Sequence, residues 1–443
     1  MLNFTFKNQT EILFGKGQLS EVSSRLPQDA KVLFLYGGGS IKKNGIYEKV
    51  VTSLEGADVV EFSGVEPNPE FDTLMKAVEV ARDNKVNFIL AVGGGSVIDG
   101  AKFVAAAVNF EGDPWDILIK GAAFSNPLPI GAVLTLPATG SESNGNSVVN
   151  RKETQQKRAF SSETVQPVFA VLDPEFTFSL PPRQVSNGVV DAFVHVIEQY
   201  LTYSVNAPLQ DRFAEGILQT LVQEGPKALA TPQDYDVRAN VMWSATMALN
   251  GLIGKGVPQD WATHMIGHEL TALHGLDHAV TLAIVLPSLM FVQRDKKQEK
   301  ILQLGERVFG ITESDKEKAI DLTIKAVQDF FETMQVKTRL SDHGIEKSEI
   351  DGLIGKRISV IGYGNQGRVH AQNLRESGLD IYVYARNPEN AIEDGFAPIS
   401  IEDASTSDLV IIALPDEVQG EIFTAQVEPN LHHGTVLGFI HGF

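Results

Sequence analysis

The sequence contains no cysteine among its 443 residues. This absence excludes disulfide bonds and every metal site or iron–sulfur cluster that is held by thiolates, and it fits a reducing compartment. Long apolar runs are also missing, and the first residues, MLNFTFKNQTEILFG, show no basic segment followed by an apolar one. The sequence therefore predicts a cytoplasmic protein without a signal peptide or a membrane span.

Positive charge is scarce as well. The chain has 37 lysines and arginines against 56 aspartates and glutamates, which gives a net charge of -19. Such a surface repels nucleic acids and anionic membranes, so neither is a predicted partner. Any bound phosphate must be held by local features of the chain. The length predicts two or three domains.

Loops rich in glycine or small residues recur in residues 1–180. KVLFLYGGGS, NFILAVGGGSVIDGAKFVAAAV and LPIGAVLTLPATGSESNG each join an apolar strand to such a loop. Strands that alternate with helices predict a parallel sheet with helices on both faces. Ligands bind beyond the carboxyl ends of such strands, where these loops lie. The fold class is therefore α/β, and residues 1–180 are predicted to form a dinucleotide-binding domain.

Two further regions follow. Residues 181–345 show amphipathic helical patterns, such as RFAEGILQTLVQEGPKAL, and predict an all-helical second domain. The polar stretch SDHGIEKSEIDG then precedes residues 354–443, where strands and a glycine loop return and predict a partial Rossmann domain. The cleft between the first two domains is the predicted ligand site.

Histidine is rare, with ten in the chain, yet four lie within HMIGHELTALHGLDH, residues 264–278. Upstream, Asp191 and His195 are four residues apart and would share one face of a helix. A carboxylate and three imidazoles can complete a divalent metal site. The alternative is a set of core histidines with satisfied hydrogen bonds. Within the cluster, we expect His274 to be structural and His268 to lie beside the metal.

Several motifs make residues 1–345 resemble a known family, including GGGSVIDG (93–100), TLPATGSESN (135–144), PPRQVSNGVVDAFVH (181–195) and GVPQDWATHMIGHELTALHGLDHA (256–279). The sequence resembles the iron-containing (group III) alcohol dehydrogenases, which have a dehydroquinate synthase-like fold. Within that family it is similar to the NADPH-dependent aldehyde reductases and butanol dehydrogenases. The resemblance implies a homodimer that reversibly reduces aldehydes to primary alcohols.

The same resemblance assigns roles to individual residues. It implies one zinc or iron ion, bound by Asp191, His195, His264 and His278. It also places His268 in the pocket for the nicotinamide and the substrate. His268 is the predicted catalytic residue, because the usual pKa range of histidine suits the relay of a proton to solvent. A relay through a ribose hydroxyl of the cofactor would serve equally well.

The glycine loops predict how NADP(H) is bound. Glycine lets backbone amides approach a pyrophosphate, although an ordinary tight turn is the alternative for each loop taken alone. The first loop, YGGGSIKKNG, lacks the acid with which NAD enzymes often bind the adenosine ribose, and Lys42 and Lys43 lie close by, so NADPH is favoured over NADH. The predicted cofactor contacts are Gly38, Gly39, Ser40, Gly94, Gly95, Ser96, Thr135, Thr139, Asn144 and, from the resemblance, Lys157.

Residues 354–443 resemble a different family, through GKRISVIGYGNQGRVHAQNLRESG, IIALPDEVQ and HGF. They are similar to the N-terminal NADPH-binding domain of the ketol-acid reductoisomerases. Gly362, Gly364 and Gly367 form a GxGxxG between a strand and a helix, and Arg386 stands where a 2′-phosphate could bind. Asp416 and Glu417 match a motif of that family without an assigned role, and His441 matches an active-site position. Isomeroreductase activity is not expected, because the magnesium-binding carboxylates of that family belong to a later helical domain.

Four hypotheses about function follow. The first is a metal-dependent aldehyde reductase that uses NADPH. The second is another enzyme of the same fold, either a polyol dehydrogenase or a lyase similar to dehydroquinate synthase. The third is a truncated chimeric fusion that binds NADPH without turnover, since an end directly after a core strand is a poor domain boundary. The fourth is that the C-terminal region only mediates association.

Overall fold

The computed structural model describes residues 1–154, 156–345, 355–376 and 378–439. The chain divides into two compact units, Met1–Arg339 and Leu340–Phe443. The regions predicted as the first two domains therefore belong largely to one compact unit. Among the described residues, no helix is long and apolar enough to cross a membrane.

The first unit begins with a parallel sheet of six strands in the order β1-β8-β5-β4-β2-β3. A separate antiparallel hairpin is formed by β6 and β7. The strands are Glu11–Phe14 (β1), Lys31–Gly37 (β2), Asp58–Val65 (β3), Phe88–Gly94 (β4), Ile130–Leu136 (β5), Asn146–Arg151 (β6), Gln156–Ser161 (β7) and Phe169–Leu172 (β8). Because β5, β4 and β2 are neighbours, the three loops that follow them lie side by side.

Alternating side chains of β2 enter two apolar layers, one on each face of this sheet. Leu33 and Leu35 belong to one layer, and Phe34 and Tyr36 belong to the other. Helices that accompany the sheet are Ser40–Lys43 (α1), Ile46–Ser53 (α2), Phe71–Asp83 (α3), Gly95–Ala107 (α4) and Asp116–Ile119 (α5). The predicted parallel α/β architecture is confirmed.

From Pro182 to Thr333, a stretch that is described throughout, all regular elements are helices. They surround an apolar core that includes Phe193, Leu218, Leu282 and Phe331. The helices are Pro182–Tyr200 (α6), Pro208–Ala230 (α7), Tyr235–Leu249 (α8), Ala262–His274 (α9), His278–Val292 (α10), Gln298–Phe309 (α11) and Lys316–Thr333 (α12). The helical character that the amphipathic patterns predicted is confirmed.

The second unit contains a parallel sheet of four strands in the order β10-β9-β11-β12. Its strands are Ile358–Ile361 (β9), Ile381–Tyr384 (β10), Leu409–Ile412 (β11) and Val436–Phe439 (β12), and its helices are Asn365–Glu376 (α13), Glu389–Glu393 (α14), Ile401–Ser405 (α15) and Asp416–Ile422 (α16). The strand order reverses at β9, as at the switch point of a doubly wound sheet. His441 lies outside the described residues.

Candidate metal and nucleotide site

Helix α6 carries the first two predicted metal ligands into the interior. Asp191 and His195 are one turn apart, and the helix is buried from residue 188 to its end at Tyr200. Only 4% of Asp191 and 5% of His195 is exposed. A carboxylate at this depth needs partners that offset the loss of its hydration.

Helices α9 and α10 bring the remaining histidines to α6. His264 and His268 lie one turn apart on α9, which ends at Gly275, where φ is 66°. His278 is the first residue of α10. The preceding Asp277 accepts hydrogen bonds from Arg183 Nη2 and Nε, at 2.5 and 2.7 Å, and one from Asn187 Nδ2 at 3.0 Å. These contacts tie the turn between α9 and α10 to the start of α6.

Three histidine nitrogens surround one oxygen of Asp191. The Nε2 atoms of His195, His264 and His278 lie 3.6, 3.7 and 3.6 Å from Asp191 Oδ1. These distances are too long for hydrogen bonds, and the buried Asp191 Oδ1 and His264 Nε2 have no hydrogen-bond partner. Ligands about 2.0–2.2 Å from one tetrahedral ion are roughly 3.4 Å apart, so the spacing fits a shared cation.

The four predicted ligands are not equivalent. Asp191, His195 and His264 form a buried group whose ligand atoms all lie within 4.8 Å of one another. His278 approaches the same carboxylate oxygen, but it stands outside that group, and 28% of its side chain is exposed. The geometry thus brings all four residues together, with His278 on the open side.

The pKa values in the cluster follow burial and charge. Burial lowers the pKa of His195 to about 4 and that of His278 well below its usual value, against the charge of Asp191. Burial acts in the same direction on His264, but the hydrogen bond to Glu198 and the charges of Glu198 and Asp191 outweigh it and raise the pKa of this imidazole to about 9. Burial would raise the pKa of Asp191, and the surrounding histidines instead hold it below its usual value.

His268 lies next to the cluster without joining it. Its ring centroid is 5.2 Å from that of His278 and 6.2 Å from that of His264. Burial lowers the pKa of His268 to about 4. His274 is exposed at the last residue of α9.

The first two nucleotide loops differ in how tightly they are packed. At Gly38 and Gly39 an added Cβ atom would meet nothing within 4 Å, and Gly39 has a φ of 92°. At Gly95 an added Cβ would lie 2.4 Å from Thr139 Oγ1, and at Gly94 it would lie 3.1 Å from Leu136 Cβ. The first loop is therefore open, whereas the second needs glycine for its own packing.

Two other side chains of the predicted nucleotide site make contacts with the protein. Lys42 Nζ lies over the rings of Tyr36 and Tyr47, 5.2 and 4.5 Å from their centroids. Ser96 Oγ accepts a hydrogen bond of 3.3 Å from the backbone N–H of Asn68. Lys42 lies in the short helix α1, and Ser96 lies in the first turn of α4.

The third loop is tied to α4 by a buried lysine. Lys102, which has no exposed surface, donates to Ser141 Oγ at 2.7 Å, to the carbonyl of Asn146 at 2.6 Å and to Asn144 Oδ1 at 3.1 Å. The amide of Asn144 donates to the carbonyls of Gly140 and Leu249. The side chain of Asn144 is thus committed to the protein, while Thr135 and Thr139 are partly exposed.

Lys157 and Glu198 complete the surroundings of the site. Lys157, on β7, donates to Asn68 Oδ1 at 3.1 Å, and burial lowers its pKa against the charges of Asp191 and Asp99. Glu198 accepts a short hydrogen bond from His264 Nδ1. Glu198 was not among the predicted site residues, although its position seven residues after Asp191, on the same helical face, was the available signal.

The three glycines of the GxGxxG motif in the second unit differ in how closely other atoms approach them. Gly362 has a φ of 105°, and an added Cβ would lie 2.5 Å from the carbonyl oxygen of Ala413. An added Cβ at Gly367 would lie 1.9 Å from the carbonyl oxygen of Gly362, whereas one at Gly364 would meet nothing within 4 Å. These surroundings match the roles of the glycines in a dinucleotide-binding motif: the first permits a tight turn, the second leaves room for a pyrophosphate and the third permits close packing of the helix. Arg386 is exposed just after β10.

Comparison with known families divides the chain in a similar way. Residues 9–174 match the family described as iron-containing alcohol dehydrogenase, and residues 185–374 match its C-terminal part. The second match extends past residue 345, the predicted end of this resemblance. Residues 352–443 match the NADPH-binding domain of acetohydroxy acid isomeroreductase.

Individual relatives agree with the first of these matches. The chain is 58% identical to the NADPH-dependent aldehyde reductase YqhD of Escherichia coli over 389 residues, which are 87% of this chain and all of that enzyme. It is 44% identical to NADP-dependent alcohol dehydrogenase 3 of Entamoeba histolytica over 80% of this chain and 93% of that one. The structure of NADH-dependent butanol dehydrogenase A from Thermotoga maritima superposes with a TM-score of 0.76 at 41% identity, covering 79% of this chain and 89% of that one.

Proposed function

This chain belongs to the iron-containing alcohol dehydrogenase family and is an oxidoreductase, and from this we propose that it reduces aldehydes to primary alcohols with NADPH and one divalent metal ion. The observation that carries the proposal is the convergence of three histidine Nε2 atoms on the unpartnered Asp191 Oδ1, at 3.6–3.7 Å. The names of the reductase and dehydrogenase relatives support the substrate class.

The residues present fit a metal ion. We assign Asp191, His195, His264 and His278 as its ligands, since one carboxylate oxygen and imidazole nitrogens suit zinc or iron. When bound, the ion supplies Lewis acidity that polarises the aldehyde oxygen, and NADPH supplies the hydride. Because His278 is the most exposed of the four, we place the approach of the aldehyde on its side of the cluster.

The nucleotide loops fit NADPH. Gly38 and Gly39 leave open space, no acid stands in their loop, and Ser40 adds a hydroxyl donor for a 2′-phosphate. The backbone at Gly94, Gly95 and Ser96 begins α4, whose N-terminus favours a pyrophosphate. We assign Thr135 and Thr139 to the nicotinamide end, Lys157 to a further cofactor contact, and Asn144 to holding the loop in place.

Proton delivery is assigned to His268. Its ring is neutral near pH 7, because burial lowers its pKa to about 4. A neutral imidazole donates from one nitrogen and accepts at the other, so it can pass a proton to the product oxygen and take one from solvent. A ribose hydroxyl of the cofactor is the alternative relay.

A chelation experiment tests the proposal. The rate of NADPH oxidation with butanal is measured before and after treatment with a chelator, and again after zinc or iron is returned. We expect turnover to be lost with the metal and restored by it. A chain that binds NADPH and metal but never turns over butanal or other aldehydes would instead be a silent fusion, and turnover of polyols alone would favour a polyol dehydrogenase.

For the second unit we propose a further NADPH-binding role. Gly364 leaves open space in the GxGxxG loop, and Arg386 is exposed at the end of β10. Isomeroreductase activity is not expected from these residues alone. The homodimer and the cytoplasmic location stay predictions.

A further inference from the structure

Helix α6 presents a third acidic or basic side chain to the metal cluster besides Asp191 and His195. Glu198 lies two turns after Asp191, so that it falls on the same helical face. Only 3% of its surface is exposed. A carboxylate buried to this extent requires charged or strongly donating partners.

His264 donates two hydrogen bonds to this carboxylate. Its Nδ1 atom makes a short hydrogen bond to Glu198 Oε2, and its backbone N–H donates to Glu198 Oε1 at 3.1 Å. The backbone carbonyl of Glu198 also accepts the N–H of Asp260, at 2.9 Å. Both the ring and the backbone at the start of α9 are therefore held by one residue of α6.

This contact determines which nitrogen of His264 faces the cluster. A carboxylate that accepts from Nδ1 requires a proton on Nδ1, so in the neutral ring, the form that binds a metal, the lone pair is on Nε2 and faces Asp191. The same arrangement is not made at His278, whose buried Nδ1 has no hydrogen-bond partner. Among these two ligands from α9 and α10, His264 alone is oriented by a carboxylate.

We propose that Glu198 is a positioning residue that holds His264 as a metal ligand and thereby sets the affinity of the site for its ion. The inference rests on the proposed function, because it needs the cluster to bind a metal. Partners of this kind fix the tautomer and increase the basicity of the ligating imidazole. Removing one usually weakens metal binding by about 10–100-fold.

The test is a Zn²⁺ titration of metal-free enzyme against a competing chelator, for wild type, Glu198→Ala and Glu198→Gln. We expect Zn²⁺ affinity to fall by about 10–100-fold in Glu198→Ala. The Zn²⁺ affinity of Glu198→Gln should fall less, because the glutamine oxygen can still accept a hydrogen bond from Nδ1 although it carries no charge. NADPH affinity should not change, and turnover of Glu198→Ala should return as Zn²⁺ is raised to saturation.

Glu215→Gln is the matched control. Glu215 is also a buried acid of the helical region, 4% exposed, but its partners are Tyr200, Arg212, Arg307 and Gln303. The Zn²⁺ affinity of Glu215→Gln should equal that of wild type. If Glu198→Ala fails to fold, the nearly isosteric Glu198→Gln carries the test.

Three outcomes contradict the inference. Wild-type affinity for Zn²⁺ in Glu198→Gln and in a folded Glu198→Ala would overturn it while leaving the proposed function intact. Equal losses in Glu198→Gln and Glu215→Gln would reduce Glu198 to a structural role. If wild type itself bound neither Zn²⁺ nor Fe²⁺, the proposed function and the inference would both be wrong.

Discussion

The two units of this chain both place a glycine loop at the end of a parallel strand, yet only the first couples that loop to a cluster of potential metal ligands. In the first unit, the loop after β5 packs against α6, where an added Cβ at Gly188 would lie 2.4 Å from the carbonyl oxygen of Pro137, and α6 carries Asp191 and His195. In the described part of the second unit, no group of three histidine or acidic side chains could hold a metal. A nucleotide-binding sheet thus becomes a candidate catalyst only when another element supplies a reactive centre.

Substitution of a metal ligand in the first unit should have the largest effect on enzyme activity. We expect His264→Ala to lower kcat/KM for aldehyde reduction by at least about 10³-fold, since several kcal/mol of charge stabilisation depend on the ion. His274→Ala, on the same helix but exposed, should keep wild-type rates. The rate of NADPH oxidation with butanal and the metal content are measured for both variants. Full activity of metal-free His264→Ala would contradict the assignment of His264 as a metal ligand.

Alanine substitutions at two glycines of the second unit should distinguish an effect on stability from an effect on NADPH binding. Gly367→Ala places a Cβ 1.9 Å from a carbonyl oxygen and should destabilise this unit by about 1–3 kcal/mol or more. Gly364→Ala has open space and should spare stability but weaken NADPH binding to this unit. Hydrogen exchange of residues 355–439 and the NADPH stoichiometry distinguish the two, and identical behaviour of both variants is the result that we do not expect.

An acid in the first loop should change cofactor preference. Gly38→Asp introduces a carboxylate at an exposed position with room for a side chain, where it can accept from ribose hydroxyls and repel a 2′-phosphate. We expect the ratio of kcat/KM for NADPH to that for NADH to fall by about 10–100-fold. Gly38→Asn controls for size. An unchanged ratio would remove this loop from the 2′-phosphate site.

The buried Lys102 should make the stability of the first unit sensitive to pH. Burial lowers its pKa from 10.5 to about 8 in the folded protein. Between these values the unfolded chain holds a proton that the folded chain lacks, so stability should rise with pH from about 8 to 10.5 and be flat below about 8. The slope is at most about 1.4 kcal/mol per pH unit.

The measurement is urea unfolding of wild type and Lys102→Met across this pH range. The variant should lose the slope, and the second unit should serve as an internal control, because Lys102 lies outside it. An equal slope in both proteins would mean that another group causes it.

Much of the site was predictable because its chemistry is encoded in short spacings. Asp191 and His195 share a helical face by their separation of four, and β4 was recognisable as an apolar run ending in glycine. The strand β3 was missed because it is a half-exposed edge strand that reads as polar in sequence. The hairpin of β6 and β7 was missed because its residues alternate weakly in hydrophobicity.

Side-chain partners were the harder part. Asn144 was predicted to contact the cofactor, but whether an amide faces a ligand or the protein depends on neighbours that are distant in sequence, here Lys102 and Leu249. Glu198 was on the same helical face as Asp191, yet its role required knowing that His264 would approach it. Periodicity identifies a face of a helix, and it does not identify what packs against that face.

The sequence by itself determined the two parallel sheets, the helical region between them and the candidate ligands Asp191, His195, His264 and His278, because each follows from local periodicity, turn residues and residue type. Only the tertiary structure decided that three imidazole nitrogens converge on one carboxylate oxygen, that His278 stays on the open side and that His264 makes hydrogen bonds to Glu198. These features depend on how α6, α9 and α10 pack, and within the ligand cluster that packing brings together residues as far apart as Asp191 and His278, which are separated by 87 positions.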